Sequence, residues 1–321
     1  MNVTAEIGSL IANVERVIVG KRAAVELVVT ALLSGGHALL QDVPGVGKTM
    51  LARALARSIG GEAARIQCTP DLLPADITGS SVIDQRAVGA GGGVLEWRFV
   101  PGPIFANVVL ADELNRATPR TQAAFLEPLD EGQVTVDGRT HLLPQPFFLL
   151  ATLNPSEHHG VFPLPEGQLD RFTLSTSLGY PGFEDELQIL TSHVARHPIA
   201  DLGPALSLDA VTDLIRQVHA VHVSEPVRRY ALALVTRSRT APGVVLGCSP
   251  RAGMALLRAA QARAAMAGRA FVLPDDIKVL APAVMPHRMI TRPEAGSAAA
   301  IIETLLAAVD APPARDGRAH V

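Results

Sequence analysis

Short apolar runs that alternate with helical patterns organise the first half of the chain. The runs lie at 37–41, 64–67, 107–111, 147–151 and 173–178. Between them, apolar residues recur at helical spacing, most clearly at 48–58 and 118–129. Because buried parallel strands read as short continuous apolar runs, this alternation predicts a parallel sheet with helices on both faces.

The pattern changes after the fifth run. Residues 3–34 already show helical spacing, interrupted near 17–20, and helical spacing again dominates from about 183 to 308. A change from alternating elements to helices alone favours a domain boundary near 180–190. We therefore predict a first domain at 1–185, a helical domain at 186–310 and a tail at 311–321. The tail has little apolar surface to bury and is predicted to be disordered.

Two insertions interrupt the alternation in the first domain. Residues 79–98 contain the run GAGGG at 89–93, which cannot form a regular helix throughout. Residues 133–143 consist of two short strand-like segments joined by Asp137 and Gly138. Asp-Gly suits the two-residue turn of a hairpin, because both positions tolerate positive φ. We predict a β-hairpin at this second insertion.

The composition excludes several classes of protein. Of 321 residues, 48% are hydrophobic and 18% charged, which is typical of a folded globular chain. A net charge of −3 and 4% aromatic residues disfavour a nucleic-acid partner. Cys68 and Cys248 are the only cysteines and have no metal-ligand spacing, so a reduced, cytoplasmic setting is expected. The first residues lack the features of a signal peptide, and no stretch is apolar enough for a membrane span.

A glycine-rich segment stands between the first apolar run and the following helix. Backbone N–H groups of such a loop can bind a phosphate chain, and the helix N-terminus adds a favourable dipole. Lys48, one of only three lysines, would contact the β- and γ-phosphates, and the Thr49 hydroxyl would bind Mg²⁺. Asp42 stands where the full P-loop pattern has glycine. The predicted nucleotide-binding residues are Val43, Pro44, Gly45, Val46, Gly47, Lys48, Thr49 and Met50.

Two carboxylates end the third apolar run. A buried strand would deliver Asp112 at its carboxyl end, where ligands of open α/β sheets bind. Asp112 would hold Mg²⁺, mostly through water, and Glu113 would orient and deprotonate an attacking water molecule. An acidic helix N-cap is the alternative interpretation of the pair.

Asn154 ends the fourth run. Asn-Pro is an ordinary turn opener, but its position at the next strand end favours a polar contact with the γ-phosphate or the water molecule.

The sequence resembles the MoxR family of AAA+ ATPases. The matching segments include VIVGK at 17–21, VPGVGKT at 43–49, CTPDLLPADITGS at 68–80, PGPIFANVVLADELNRA at 101–117, EGQVTVDG at 131–138, ATLNPSEHHGVFPLPEGQLDRF at 151–172, LGYPGFEDELQIL at 178–190 and CSPRA at 248–252. The resemblance covers about residues 15–290. It departs from the family at Lys21 and Leu153, and neither change removes an expected catalytic group.

The resemblance implies more than the residues alone establish. It implies an α/β fold, with a parallel five-stranded sheet between helices and a C-terminal all-α lid, that binds ATP or ADP with Mg²⁺. It also implies a ring, most often a hexamer. Arg171 would then reach the neighbouring subunit's nucleotide, with Arg116 as the competing candidate, and Arg251 would contact the phosphates from the lid. A von Willebrand factor A domain protein and a protein client are the implied partners.

These features indicate an ATPase that remodels partner proteins or inserts their metals or cofactors. A nucleotide-binding switch that hardly hydrolyses ATP is the second hypothesis, and Glu113 argues against it. A metal-chelatase motor or a nucleic-acid remodeller on the same core is the third. It would require a basic pore or an added DNA-binding motif, and the sequence shows neither.

Overall fold

The computed structural model describes residues 2–84, 96–154, 160–195 and 198–313. The glycine run at 89–93 and positions 314–321 of the tail lie outside the described residues. The helices are α1 (Val3–Glu15), α2 (Arg22–Leu33), α3 (Lys48–Ser58), α4 (Pro74–Thr78), α5 (Pro119–Ala123), α6 (Leu126–Glu131), α7 (Glu166–Leu169), α8 (Phe183–Ala195), α9 (Leu208–His219), α10 (Glu225–Ser238), α11 (Pro250–Met266), α12 (Pro274–Val284) and α13 (Ala298–Ala308). The strands are β1 (Ala38–Gln41), β2 (Ala63–Gln67), β3 (Gly79–Asp84), β4 (Glu96–Pro101), β5 (Val108–Asp112), β6 (Gln133–Val136), β7 (Arg139–Leu142), β8 (Phe148–Leu153), β9 (Leu174–Thr176), β10 (Val244–Leu246) and β11 (Ile290–Thr291).

Five of these strands form the central sheet, in the order β2–β5–β8–β1–β9. Every neighbouring pair runs parallel. Each strand corresponds to one of the apolar runs, so the predicted α/β core is confirmed. All of β5 is buried, and it has no solvent face that would call for alternating polar residues.

Helices and loops cover both faces of the sheet. Adjacent residues of a strand point to opposite faces, and Leu39 and Leu40 of β1 belong to different hydrophobic clusters. Leu40 packs in the cluster that contains α1, α2, α3 and the C-terminal helices. Leu39 packs in a second cluster with Ile77 and Phe125. The carboxyl ends of the strands therefore share one edge between two packed layers.

Both insertions contain antiparallel strand pairs. β6 and β7 form the predicted hairpin, and its turn residues Asp137 and Gly138 both have positive φ, at 50° and 75°. β3 pairs with β4 along six residues each. The insertion at 79–98 is thus built on a second strand pair, consistent with the expectation that it is not a helix throughout.

The helical pattern at 118–129 forms two helices, α5 and α6, rather than one. In a continuous helix Pro128 could not donate to the carbonyl of Ala124, and its ring would clash with that carbonyl. The structure ends α5 before this point and places Pro128 in the first turn of α6, where no backbone donor is required.

Helices α9–α13 form the C-terminal region, together with the small antiparallel pair β10–β11. The N-terminal helices pack against it, since α1 and α2 both contact α11. A domain boundary near 180–190 remains a prediction. Among the described residues, no helix has the length and apolar character required to cross a membrane.

Candidate active site

The loop from Asp42 to Gly47 connects β1 to α3. Gly45 and Gly47 have φ values of 85° and 96°, a region that side-chain-bearing residues rarely adopt. Apart from each glycine and its two chain neighbours, no described protein atom lies within 4 Å of the position that a Cβ would take at either residue. Val46 and Met50 pack against the hydrophobic cluster below. The loop is thus packed against the core through Val46 and Met50 and open at Gly45 and Gly47, which suits close approach of a ligand to its backbone.

Lys48 is the first residue of α3 and is buried. Its Nζ donates to the carbonyl oxygens of Asp42, at 3.3 Å, and Val43, at 3.2 Å. Thr49 follows in the first turn of the same helix. The ammonium group therefore lies within the curve of the loop, where an anionic ligand would be a stronger acceptor than a carbonyl group.

Asp42, the departure from the P-loop pattern, has a structural explanation. Its carboxylate is buried and accepts hydrogen bonds from the backbone N–H groups of Leu178 and Gly179. These residues lie just beyond the end of β9, so the carboxylate joins the start of the loop to the segment that follows the neighbouring strand. A glycine at position 42 could not make this connection.

Asp112 ends β5, and both of its carboxylate oxygens have partners. Oδ2 accepts from Arg65 Nε at 3.0 Å and from Arg65 Nη2 at 2.7 Å. Oδ1 accepts from the Thr152 hydroxyl at 2.8 Å. The same hydroxyl accepts from the Glu113 N–H at 2.7 Å. Arg65 and Thr152 were not predicted as site residues, although a lone Thr within the apolar run of β8 is a signal that the sequence contains.

Glu113 has a left-handed backbone, with φ 56°, which is uncommon and strained for a residue other than glycine. Its Oε2 accepts from Gln67 Nε2 at 3.0 Å. It also pairs with Arg116 Nε at 3.2 Å. The backbone turn takes the Glu113 side chain out of the strand direction, so the two adjacent carboxylates have separate partners.

Asn154 is buried and directly follows β8. β8 lies between β5 and β1 in the sheet. At its end, the Leu153 carbonyl accepts from the Asp42 N–H at 3.1 Å. The sheet therefore places Asn154 between the acidic pair and the glycine-rich loop, at the strand edge where the sequence predicted it.

Arg171 and Arg251 meet at a third carboxylate. Arg171 Nε lies 2.9 Å from Asp130 Oδ2, and Arg251 Nη1 lies 3.2 Å from Asp130 Oδ1. Arg171 follows α7, Arg251 lies in the first turn of α11, and Asp130 belongs to α6. The structure thus brings the two predicted arginines together, through a residue that sequence reasoning did not select.

Asp170 connects this arginine pair to the C-terminal region. Its carboxylate accepts from Arg288 Nε at 3.0 Å and from the Ser249 hydroxyl at 2.6 Å. Ser249 is the N-cap of α11, and Arg288 is buried. The residue preceding Arg171 is therefore fixed to the helix that carries Arg251.

Cys68 lies beside the acidic pair, where its N–H donates to the Asp112 carbonyl at 2.9 Å. Burial and the negative charges of Asp112 and Glu113 raise the pKa of its thiol to about 12. The thiol therefore stays protonated at neutral pH, and nucleophilic chemistry at Cys68 is disfavoured.

Comparisons with known proteins agree with this geometry. The profile described as "ATPase family associated with various cellular activities (AAA)" matches residues 37–174, and that of the AAA lid domain matches 236–305. Chaperone MoxR1 of Mycobacterium tuberculosis is 39% identical over 87% of this chain and 74% of its own length. The chain belongs to the MoxR family of AAA+ ATPases.

Further relatives match 86% of the chain or more. The uncharacterized protein YeaC of Bacillus subtilis is 47% identical over 95% of both chains. Protein MoxR of Paracoccus denitrificans is 30% identical over 86% of both. The solved structure of a candidate ATPase from Cytophaga hutchinsonii is 34% identical, covers 96% of this chain and 95% of its own, and has a TM-score of 0.87. The AAA+ core with its helical lid is thus confirmed, and the chain is an ATP-hydrolysing enzyme.

Proposed function

We propose that this MoxR-family ATPase couples ATP hydrolysis to chaperone-like remodelling of partner proteins, including their maturation or the insertion of a metal or cofactor. The observation that carries the proposal is the shared strand edge of Asp42, Asp112 and Asn154, which groups the glycine-rich loop with the acidic pair. The naming of one relative as a chaperone supports the remodelling role.

The loop residues 43–50 would bind the phosphates of ATP or ADP. Lys48 would exchange its contacts with the loop carbonyls for the β- and γ-phosphates, which are stronger acceptors. The open space over Gly45 and Gly47 supports close approach of the phosphates to the backbone. Val43, Pro44, Val46 and Met50 complete the segment assigned to the nucleotide.

A Mg²⁺ ion fits the residues at this edge. In the part of the chain that the structure describes, no group of three or more His, Cys, Asp or Glu side chains is placed to hold a metal. Mg²⁺ typically uses one or two protein oxygens and completes its shell with water and phosphate. Thr49 and Asp112 would supply the protein's oxygens, and Mg²⁺ would neutralise charge on the phosphates.

Glu113 would act as the general base, and Asn154 would orient the attacking water molecule or the γ-phosphate. The separate hydrogen bonds of the two neighbouring carboxylates support different roles for them. Glu113 is held by Gln67 and Arg116 in this state. Its action as a base therefore requires release of these contacts, which favours hydrolysis that depends on assembly or on a partner.

Arg171 would reach the nucleotide bound by a neighbouring subunit, and Arg251 would contact the phosphates from the lid; the anionic partner that both share, Asp130, supports a phosphate-binding role for each. Two guanidinium groups that meet at one carboxylate would also suit a phosphoryl group. Arg116 is the competing candidate for the trans contact, although it pairs with Glu113 in its own subunit. We propose a cytoplasmic ring, most often a hexamer, that acts with a von Willebrand factor A domain protein.

The two hairpins would present the surface that contacts client proteins. Trp97 of β4 is 64% exposed and Leu142 of β7 is 78% exposed. Phe99 stacks on His141 with 3.9 Å between ring centroids, which connects the hairpins. A cleft of about 370 Å³ lies between them and includes Trp97, Phe99 and His141 in its lining. An exposed aromatic surface of this kind is typical of protein contacts.

Steady-state ATP hydrolysis by the wild type and by Glu113→Gln tests the proposal, with nucleotide binding measured for both proteins. Hydrolysis that is lost in the variant while binding persists would support Glu113 as the base. Binding without hydrolysis in both, also after addition of a partner protein, would favour a nucleotide switch. A client assay with Trp97→Ala, whose ATP hydrolysis should be retained, tests the hairpin surface separately.

A further inference from the structure

Arg65 is an arginine of the sheet with no role in the assignments above. It lies on β2, which pairs with β5 so that Gln67 stands opposite Asp112. Two of its nitrogen atoms, Nε and Nη2, donate to the same oxygen of Asp112, at 3.0 Å and 2.7 Å. Nη2 also donates to Gln67 Oε1. The guanidinium group is therefore held in one orientation against the carboxylate.

The burial of Asp112 explains why its carboxylate needs the ion pair with Arg65. The Asp112 side chain is 11% exposed, whereas that of Arg65 is 48% exposed. A carboxylate at that depth requires a compensating charge or several hydrogen bonds. Thr152 supplies one neutral donor to Oδ1, and Arg65 supplies the positive charge. Because Arg65 is partly open to solvent, its head group can move outward while Asp112 remains fixed at the strand end.

A divalent cation at Asp112 would face the same oxygen. The guanidinium group and Mg²⁺ are both positive, so their simultaneous proximity to one carboxylate raises the electrostatic energy of each. Other cations near the loop and the acidic pair have separate partners, since Lys48 contacts loop carbonyls and Arg116 pairs with Glu113. Of the contacts that the structure describes at Asp112, the one with Arg65 therefore competes most directly with the metal.

We propose that Arg65 is a positioning residue that compensates the Asp112 carboxylate before the metal and nucleotide arrive and thereby sets the Mg²⁺ requirement of the enzyme. This inference rests on the proposed assignment of Asp112 to Mg²⁺. Arg65 retreats from Oδ2 as Mg²⁺ and the nucleotide bind. Without magnesium, Arg65 compensates the negative charge of Asp112 and keeps the ends of β2 and β5 in register.

The test compares Arg65→Gln with the wild type and with Arg22→Gln, a matched control that removes an exposed arginine paired with Glu15 and Glu26. Two measurements are made without turnover. The first is the Mg²⁺ concentration that supports half-maximal binding of a fluorescent, non-hydrolysable ATP analogue. The second is the melting temperature in EDTA and in Mg²⁺ alone. Arg65→Lys, which keeps the charge, is measured in parallel and serves where Arg65→Gln does not fold.

Arg65→Gln should lower the half-maximal Mg²⁺ concentration about tenfold, since it removes one partly screened positive charge near the metal. Its melting temperature should fall in EDTA and recover in Mg²⁺, while the wild type and Arg22→Gln change little. Arg65→Lys should lie between the wild type and Arg65→Gln. Adding Asp112→Asn should abolish the effect of Arg65→Gln, because the competing carboxylate charge is gone.

Two results would overturn the inference. The first leaves the proposed ATPase site intact, and the second also removes the assignment of Asp112 to Mg²⁺. If Arg65→Gln and the wild type need the same Mg²⁺ concentration and show the same response to EDTA, Arg65 does not compete with the metal. The proposed ATPase site then stands. If analogue binding by the wild type is independent of Mg²⁺, or Asp112→Asn alone leaves that dependence unchanged, the assignment of Asp112 fails as well.

Discussion

His37 allows a quantitative prediction of how stability depends on pH. The residue immediately precedes β1, and its imidazole is buried and contacts β8 and α6. Nδ1 accepts from the Leu149 N–H at 3.1 Å, and Nε2 lies 3.2 Å from the Leu129 carbonyl, to which it donates. Only the neutral ring with its proton on Nε2 satisfies both contacts, since a protonated Nδ1 would meet another donor.

Burial is the main cause that lowers the pKa of His37, from its ordinary value of 6.5 to about 4. Above pH 6.5 the ring is neutral in both the folded and the unfolded chain, and the contribution to stability is complete. Between pH 6.5 and about 4 the unfolded chain binds a proton that the folded chain does not. At ~1.4 kcal/mol for each pH unit, the free energy of unfolding should fall by about 3 kcal/mol over this interval.

Urea unfolding at closely spaced pH values, for the wild type and His37→Asn, measures this contribution. Asparagine does not titrate and offers an acceptor close to the position of Nδ1, so the variant should lose stability less steeply between pH 6.5 and 4. His222→Asn, at an exposed histidine, controls for the loss of an imidazole. Equal pH dependence of His37→Asn and the wild type over this interval would refute the reasoning. Burial also lowers the pKa of His287, which is why the comparison uses the difference between two proteins.

Two further predictions follow from the contacts of the site. Asp42→Ala should reduce the free energy of unfolding by about 2–4 kcal/mol and weaken ATP binding, because two backbone N–H groups lose a charged acceptor. Denaturation and nucleotide titration check this, with Asp42→Asn expected to be milder, and a change in neither quantity would contradict the anchoring role. Arg171→Ala should bind ATP normally yet hydrolyse it poorly, and mixing it with Glu113→Gln should restore some hydrolysis if the two residues serve one composite site. No recovery in rings verified as mixed would count against Arg171 as the trans residue.

Features encoded in short segments were predictable from the sequence. The strands β1, β2, β5, β8 and β9 followed from apolar runs, because burial on both faces leaves no polar alternation. The turn at Asp137 and Gly138 followed from local backbone preference. The predicted positions of Asp112 and Asn154 at strand ends followed from the rule that ligands bind at the carboxyl edge of a parallel sheet.

The missing parts of the site depend on contacts between distant segments. Arg65 and Asp112 are 47 residues apart and meet only because β2 pairs with β5. The meeting of Asp130 with Arg171 and Arg251 requires the packing of three separate elements. The break before α6, by contrast, has a local cause. Pro128 signals it in the sequence, but the prediction of one helix at 118–129 relied on the spacing of apolar residues alone.

Helix α1 joins the two helices that begin at Lys48 and near Arg251. The Thr4 hydroxyl donates to the carbonyl of Ala265, close to the end of α11, at 3.2 Å. Asn13 Nδ2 donates to the Ser58 hydroxyl, at the end of α3, at 3.0 Å. Both helices are therefore tied to α1 near their carboxyl ends, and their amino ends carry Lys48 and Arg251. The first helix of the chain thus couples the position of the helix that carries Lys48 to that of the helix that carries Arg251.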